Sequence, residues 1–280
     1  MTTTLMSLSD QEYERIRKLV YEYSRIDLGP NKRELVTARL GKRLRATKIE
    51  SFSAYISYLD SRAGEEELTH LIDAISTNHT FFFREIKHFE FMENTVLPWA
   101  AAEASKTGKK QFRVWSAASS SGEEPYSIAI QLTDHFKRNP GWSWKIEATD
   151  ISTKILAQAR EGVYAEERLR DVRPDWMKTY FQRGIDEWTG YYRVREEVRQ
   201  AVNFTHLNLL QPKYPFTEPF QLIWCRNVMI YFDRPTQEQL VAKLSEMLVP
   251  GGYLFIGHSE SLTGIKHGLK ALRPAIYQKP

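Results

Sequence analysis

The sequence predicts an α/β protein in two parts. A small all-helical N-terminal domain precedes a doubly wound parallel sheet, into which a small antiparallel β-subdomain is inserted. Three observations predict this. From Ser9 to about Phe91 apolar residues recur at helical spacing and nothing reads as a strand ladder. From Gln111 onward, short apolar runs alternate with amphipathic helical ones, the grammar of βα units. Residues 175–198 break that alternation with a hairpin signal around Thr189-Gly190, flanked by aromatic and β-branched residues. The expected boundaries are 1–91 for the helical domain, 92–110 for a linker, 111–280 for the α/β domain and about 175–200 for the insertion.

In the helical part, Ser9 followed by Glu12 is a capping-box signal, and Ile16, Leu19, Val20 and Tyr23 continue at helical spacing. Pro30 marks a new helix start, after which Leu35, Val36, Leu40 and Leu44 form the apolar stripe. Ser51 caps a third helix that Gly64 stops, and a fourth and fifth follow before Met92. After Pro98 the small, polar run AAEASKTGKK reads as a linker. Candidate strands are FRVWSA, WKIEATD, VNFTHLN, FQLIWCRN, GYLFIGH and a short one at AIYQ. The helical segments between them are PYSIAIQLTDHF, STKILAQAREG and TQEQLVAKLSEML.

Composition excludes several classes. The 280 residues carry a net charge of only +4, too little for a dedicated polyanion binder. No apolar run approaches the roughly 18 residues of a membrane span, and MTTTLMSLSDQEY has no leader character, so a cytoplasmic protein is expected. The single cysteine, Cys225, allows no internal disulfide and reads as a buried apolar residue. Seven scattered histidines, with no H-x-x-x-H pair, suggest no metal. One local feature stands out: residues 31–48 hold seven Lys/Arg against one Glu. That stretch is either a solvated helix face or a surface for an anionic partner.

Ligands of doubly wound sheets bind at the carboxyl ends of the strands, and polar residues collect there. The first strand runs into SAASSSGEE, the second ends at Asp150, the third at Asn208, and the fourth at Arg226, Asn227 and Tyr231. The first loop has one glycine, Gly122, followed directly by Glu123 and Glu124. Both G-x-G-x-x-G and G-x-x-x-x-G-K-[ST] are absent, so no pyrophosphate or triphosphate cradle is present. Small residues allow close backbone approach, while the acid would repel phosphate and suit a cation. S-adenosylmethionine, a phosphate-free sulfonium, fits both features. Asp150 is placed to accept its ribose hydroxyls, and serves equally as a cap for the helix that follows.

The segments NHTFFFRE, VWSAASSSGEEPYSIA, ATDIS, NLL, FQLIWCRNVMIYFD and GGYLFIGHSES closely resemble the CheR-type chemotaxis receptor methyltransferases, over nearly the whole chain. The resemblance implies a Rossmann-like S-adenosylmethionine-dependent methyltransferase domain. The expected reaction esterifies specific chemoreceptor glutamates and leaves S-adenosylhomocysteine. It assigns cofactor binding to Asn78, Thr80, Arg84, Glu123, Asp150, Asn208, Leu209, Arg226 and Asn227, and places Arg84 and Tyr231 beside the reacting groups. The loop reads SAASSSGEE where relatives often have Thr before the glycine, a conservative departure.

For partners, the resemblance implies the helical, glutamate-rich bundle of a chemoreceptor, met by the basic helix through Arg39, Lys42 and Arg43. The β-subdomain offers an edge for a receptor C-terminal peptide, a mode used by some relatives and not others. No metal, nucleic acid or membrane insertion is expected, and a monomer is. A nucleic-acid methyltransferase would show N/D-P-P-Y/F after the fourth strand, where this chain has CRNVMIYFD. A non-catalytic adaptor would have lost residues of the carried-over set, all of which are competent here. His258, in IGHSES, is expected to make a structural hydrogen bond.

Overall fold

A computed structural model of the chain describes residues 7–75 and 80–280. They fall into two compact units, Met1–Thr77 with Tyr231–Thr236, and Asn78–Ile230 with Gln237–Pro280.

In the smaller unit, helix α1 (Asp10–Ser24) opens with the expected capping box: the Ser9 hydroxyl accepts the Glu12 N–H (3.3 Å) while Glu12 accepts the Ser9 N–H (2.8 Å). A short 3-10 turn at Pro30–Lys32 leads into α2 (Arg33–Thr47). Ser51 caps α3 (Phe52–Leu59), and α4 (Glu65–Ile75) follows. Helix α4 packs on the other three, and the core between them holds Ile16, Val20, Val36, Leu40, Tyr55, Leu71 and Ile72. The buried stripe of α2 is Val36, Leu40 and Leu44; Leu35, one step off that i, i+4 row, is exposed. Inside the bundle Arg43 grips buried Glu67 with both ends of its fork (2.9 and 2.7 Å), and the Tyr55 hydroxyl donates to the same carboxylate (2.6 Å). The chain returns to this unit at Tyr231–Thr236, where the Tyr231 carbonyl accepts the Asp27 N–H (2.8 Å) and Asp233 accepts the Tyr21 hydroxyl (2.7 Å).

The larger unit begins with α5 (Ile86–Phe91), a π turn at Met92–Val96 and α6 (Leu97–Thr107). Residues 97–107, expected as a linker, are therefore helix. Alanine-rich sequence favours helix, and Pro98 lies in the first turn of α6, where proline is tolerated. Gly108 (φ +73°) ends it.

The α/β part then runs β1 (Gln111–Ala117), α7 (Glu123–Arg138), β2 (Ser143–Asp150), α8 (Thr153–Glu161) and β3 (Val163–Ala165). Next come α9 (Pro174–Tyr180), β4 (Phe181–Arg183), β5 (Tyr191–Val194), α10 (Glu196–Arg199), β6 (Val202–His206) and β7 (Phe220–Cys225). It ends with α11 (Arg234–Glu246), β8 (Leu248–Ile256), β9 (Lys270–Arg273) and β10 (Ile276–Gln278).

The main sheet has the order β6-β2-β1-β7-β8-β10-β9; its first five strands are parallel and β10 runs antiparallel to β8 and β9. Both faces are covered, which is why β1, β7 and β8 read as continuous apolar runs. Order reverses at β1, whose neighbours are β2 and β7. Register brings the strand ends level: Ala117 pairs with Thr149 and Cys225, and Cys225 with Ile256.

The small antiparallel sheet has the order β3-β5-β4. It thus begins at Val163, upstream of the 175–200 read from the sequence, because a three-residue strand directly after a helix shows no alternation.

Candidate active site

The level strand ends place four loops on one edge of the larger unit. After β1 the backbone turns through Ala118 (φ +63°) and Ser120 (φ +50°) to Gly122 (φ +97°), three left-handed residues in five. A side chain at Gly122 would meet the Tyr164 hydroxyl at 2.7 Å and Ala159 Cβ at 3.0 Å, so glycine is required by space as well as by φ. The Ser119 N–H bonds the Thr149 carbonyl (2.8 Å), and Tyr164 donates to the Ser121 carbonyl (2.7 Å), fixing the loop from both sides. The Ser119 and Ser120 hydroxyls are buried and, among the described residues, have no hydrogen-bond partner. Orphaned buried hydroxyls beside strained backbone are what a ligand cradle leaves open.

Asp150 ends β2 and is 8 % exposed. Its two carboxylate oxygens accept the Ser120 and Ser152 N–H groups, each at 2.9 Å. It thereby ties the first loop to the second. The cap of α8 is Ser152, not Asp150: the Ser152 hydroxyl accepts the Ile155 N–H. After β6, Asn208 accepts the Leu210 N–H (2.9 Å), and the buried Leu209 accepts the Tyr214 hydroxyl at its carbonyl (2.5 Å).

After β7 comes Arg226, 6 % exposed and heavily engaged. It bonds Glu124 (3.0 Å), Glu85 (2.9 Å) and the Arg84 carbonyl (2.6 Å), and lies over the Trp224 ring. Asn227 follows with φ +58°. Its N–H and those of Met229, Ile230 and Gly257 all converge on the carboxylate of buried Glu260, at 2.6–3.3 Å. That one side chain organises the loop after β7 and joins it to the end of β8. Gly257 has no room for a Cβ, which would meet Asn227 Nδ2 at 2.3 Å.

The two acids of the first loop are not bare. Glu124 faces Arg226 and the Ser116 hydroxyl (2.8 Å). Glu123, 1 % exposed, accepts the Ser121 hydroxyl (2.6 Å) and lies 3.4 Å from Arg168. Burial pushes both carboxyls above the usual carboxylate range, and the arginines work against that. Each acid is therefore desolvated and set against an arginine, a fact no local reading of SGEEP contains. Cys225 is buried and its thiol is held well up by burial.

Thr80 accepts an Arg168 hydrogen bond at its carbonyl. Arg84 lies between two left-handed residues, Phe83 (φ +56°) and Glu85 (φ +60°), and the Phe83 N–H is held by the Ser127 hydroxyl of α7 (2.9 Å). His88, fully buried against Phe255 and Trp224, is driven down to about 3 by burial and by Arg226, so its ring is neutral. The His258 ring, expected in a structural hydrogen bond, is partly exposed, with Nε2 4.0 Å from Glu85.

The larger unit thus assembles Arg84, Glu123, Asp150, Asn208, Leu209, Arg226 and Asn227 on or beside one sheet edge. Asn78 lies outside the described residues. Tyr231 belongs to the smaller unit; it is half-buried, and among the described residues its hydroxyl makes no hydrogen bond. Glu85, Arg168 and Glu260 were missed from sequence. Only Glu260 left a trace there, in the HSES run that follows β8.

A doubly wound sheet with an antiparallel last hairpin, a strained small-residue loop after β1 and an acid closing β2 define a Rossmann-like methyltransferase. Comparison with known proteins narrows the class. Residues 11–76 match the all-alpha domain of CheR methyltransferases, and residues 78–277 match their SAM-binding domain. The chemotaxis protein methyltransferase of Borreliella burgdorferi is 40 % identical over 98 % of this chain and 96 % of its own. That of Escherichia coli is 39 % identical over 98 % and 93 %, and that of Salmonella typhimurium 41 % over 94 % and 88 %. The chain belongs to the CheR methyltransferase family and is an S-adenosylmethionine-dependent methyltransferase of chemotaxis.

Proposed function

We propose that the protein methylates specific glutamate side chains on the cytoplasmic helices of chemoreceptors, giving glutamate methyl esters and S-adenosylhomocysteine. The observation that carries the cofactor half of this reading is the cradle after β1. It combines two orphaned serine hydroxyls, a glycine with no space for a side chain, and Asp150 pinned in the adjoining loop. S-adenosylmethionine supplies, when bound, a methyl group on a positively charged sulfur. Asp150, fixed at the end of β2 between the first two loops, accepts the ribose hydroxyls, and Ser119 and Ser120 gain ligand partners. Asn208 and Leu209 border the adenine side, while Glu123, Asn227, Thr80 and Asn78 complete the binding set. Arg226 contributes mainly by holding Glu85, Glu124 and the Arg84 backbone in place, since most of its donors are already engaged.

A glutamate side chain, with an ordinary pKa near 4.3, is ionised at neutral pH, so the chain needs no general base. The displacement needs in-line approach at roughly 3–3.5 Å, so positioning dominates. Arg84 anchors a carboxylate of substrate or cofactor through its planar fork, and the Tyr231 hydroxyl orients the other reactant. No metal is required by a displacement of this kind.

Receptor contact falls to the exposed cations of α2. Arg43 is committed to Glu67, and Arg39 donates to the Ile75 carbonyl. That leaves Lys42, flanked along the helix by Arg45 and Lys48, to face an acidic receptor bundle. The β-subdomain offers a second contact, with edge strand β4 beside exposed Ile185, Trp188 and Tyr191 for a receptor tail. The protein acts as a cytoplasmic monomer in this reading; no described helix is long and apolar enough to cross a membrane.

The test is incubation with methyl-labelled cofactor and receptor-containing membranes. Base-labile label on receptor glutamates is the expected result. Label that survives base, or label on nucleic acid, overturns the reading.

A further inference from the structure

We propose that Glu85, His88 and His258 form a binding site for a divalent transition-metal ion of the zinc type. The proposal is independent of the methyl-transfer reading, which calls for no metal.

One ligand atom from each of the three lies within 4.8 Å of the others. His88 Nδ1 is 3.4 Å from Glu85 Oε2, and His258 Nε2 is 4.0 Å from the same oxygen. Ligands at about 2.0–2.1 Å around a tetrahedral zinc stand roughly 3.3 Å apart, so the triad is close to coordinating spacing. Two imidazoles and one carboxylate are a donor set that suits zinc, cobalt or nickel over magnesium or calcium.

The second observation is His88 itself. Its ring is fully buried, stacked on Phe255 at 5.1 Å and 19°, and neither ring nitrogen makes a hydrogen bond of ordinary geometry. Among the described residues the imidazole's polar contacts, Glu85 at 3.4 Å and the Ala275 backbone, are long or poorly aligned, which leaves a nitrogen lone pair for a stronger partner. Its ring faces that of His258 at 4.8 Å, and His258, at 43 % side-chain exposure, has freedom to move inward.

The Glu85 oxygen within reach of both imidazoles is Oε2, which also accepts Arg226 (2.9 Å) and the His258 N–H (3.2 Å). An ion is therefore held by Oε2 alongside Arg226, or by Oε1, which accepts the His258 N–H (3.3 Å), after rotation of the carboxylate. A carboxylate bridging an arginine and a metal is an ordinary outer-shell arrangement. Around the triad, Glu85, Glu124 and Glu90 stand against Arg226, Lys87 and Arg273, so the formal charges balance and no net positive charge closes the pocket to a cation. Access is provided as well. His88 and His258 both line a cavity of about 610 Å³, shared with Lys87, Glu90 and Arg273, which gives an entry path and room for water on the ion.

Cobalt(II) titration of chelator-treated full-length protein tests this. Wild type should develop visible d–d absorption that saturates at one equivalent and is bleached by zinc, and zinc should raise the thermal midpoint. His258→Ala, at a partly exposed position that folding tolerates, should weaken cobalt binding by about tenfold or more. His267→Ala, a histidine outside the triad, should leave it unchanged. No absorption in wild type at several equivalents, or a His258→Ala protein that binds as wild type does, overturns the proposal.

Discussion

Glu260 lies just past β8 and takes four backbone N–H groups on one buried carboxylate. Gln at that position keeps the volume but replaces an acceptor oxygen by a donor NH₂, which leaves buried N–H groups facing a donor. Glu260→Gln should cost about 1–3 kcal/mol, which at about 2–4 °C per kcal/mol is a clear drop in thermal midpoint. An unchanged midpoint would remove Glu260 as the organiser of the loop after β7. Tyr231 tests a different role. Tyr231→Phe should lower turnover while cofactor affinity, read by calorimetry, stays within a few-fold; equal turnover would exclude the hydroxyl from the reaction. At this scale the sequence showed candidate groups and not their partners. Arg226 and Asp150 stood out as candidates because one directly follows an apolar strand and the other ends one. Glu85 is 141 residues from Arg226 and sits in a left-handed turn with no sequence signal, so the pair emerges only from the fold. The same holds for Glu123 and Glu124: read as bare negative charge for a cation, the first turns out buried and the second half-buried, each facing an arginine.

Among the elements, α2 and α4 are joined by Arg43 and Glu67, and this divides the basic residues of α2 into two kinds. Burial raises the Glu67 carboxyl, but hydrogen bonds from Arg43 and Tyr55 outweigh it and leave the group below the usual carboxylate range. The unfolded chain therefore binds the proton first. The contribution is present above about pH 4.5 and is lost as pH falls through the depressed folded value. Acid unfolding of the wild type followed by circular dichroism should show this loss, and Glu67→Gln should start less stable and lose less below pH 4.5. Equal pH slopes for the two proteins would contradict the pairing. Arg43→Ala should likewise lower the thermal midpoint, whereas Lys42→Ala, on the exposed side, should leave it alone. Long elements were legible: the capping box of α1 and the apolar runs of β1, β2 and β7 fix their places almost to the residue. Short ones were mostly not: AIYQ was read and is β10, but β3 and β9, at three and four residues, offer too few positions for a period to show. The helix at 97–107 was misread because alanine-rich sequence with a proline near its start resembles a linker in composition and a helix in propensity.

At the scale of the whole molecule, a modest net charge of +4 conceals a segregation of roles. The acids at the sheet edge face arginines, while Lys42, Arg45 and Lys48 of the α2 region are exposed, and in the proposed reading these cations meet the receptor. Receptor methylation by the wild type should fall as ionic strength rises, and Lys42→Ala should flatten that dependence while methylation of a free peptide substrate stays unchanged. An identical salt profile for the two proteins would detach α2 from receptor contact. The change of hydrophobic period near Gln111 marks only where the strands begin; the division into units falls earlier, between Thr77 and Asn78, so α5 and α6, expected as the end of the helical domain and a linker, belong to the larger unit. The most direct measurement is a crystal structure of the protein grown with S-adenosylhomocysteine. It should show the nucleoside seated over residues 117–122, with ribose hydroxyls on Asp150 and the Ser119 and Ser120 hydroxyls newly bonded. Ligand density away from the β1 edge, with those serines still unpartnered, would contradict it.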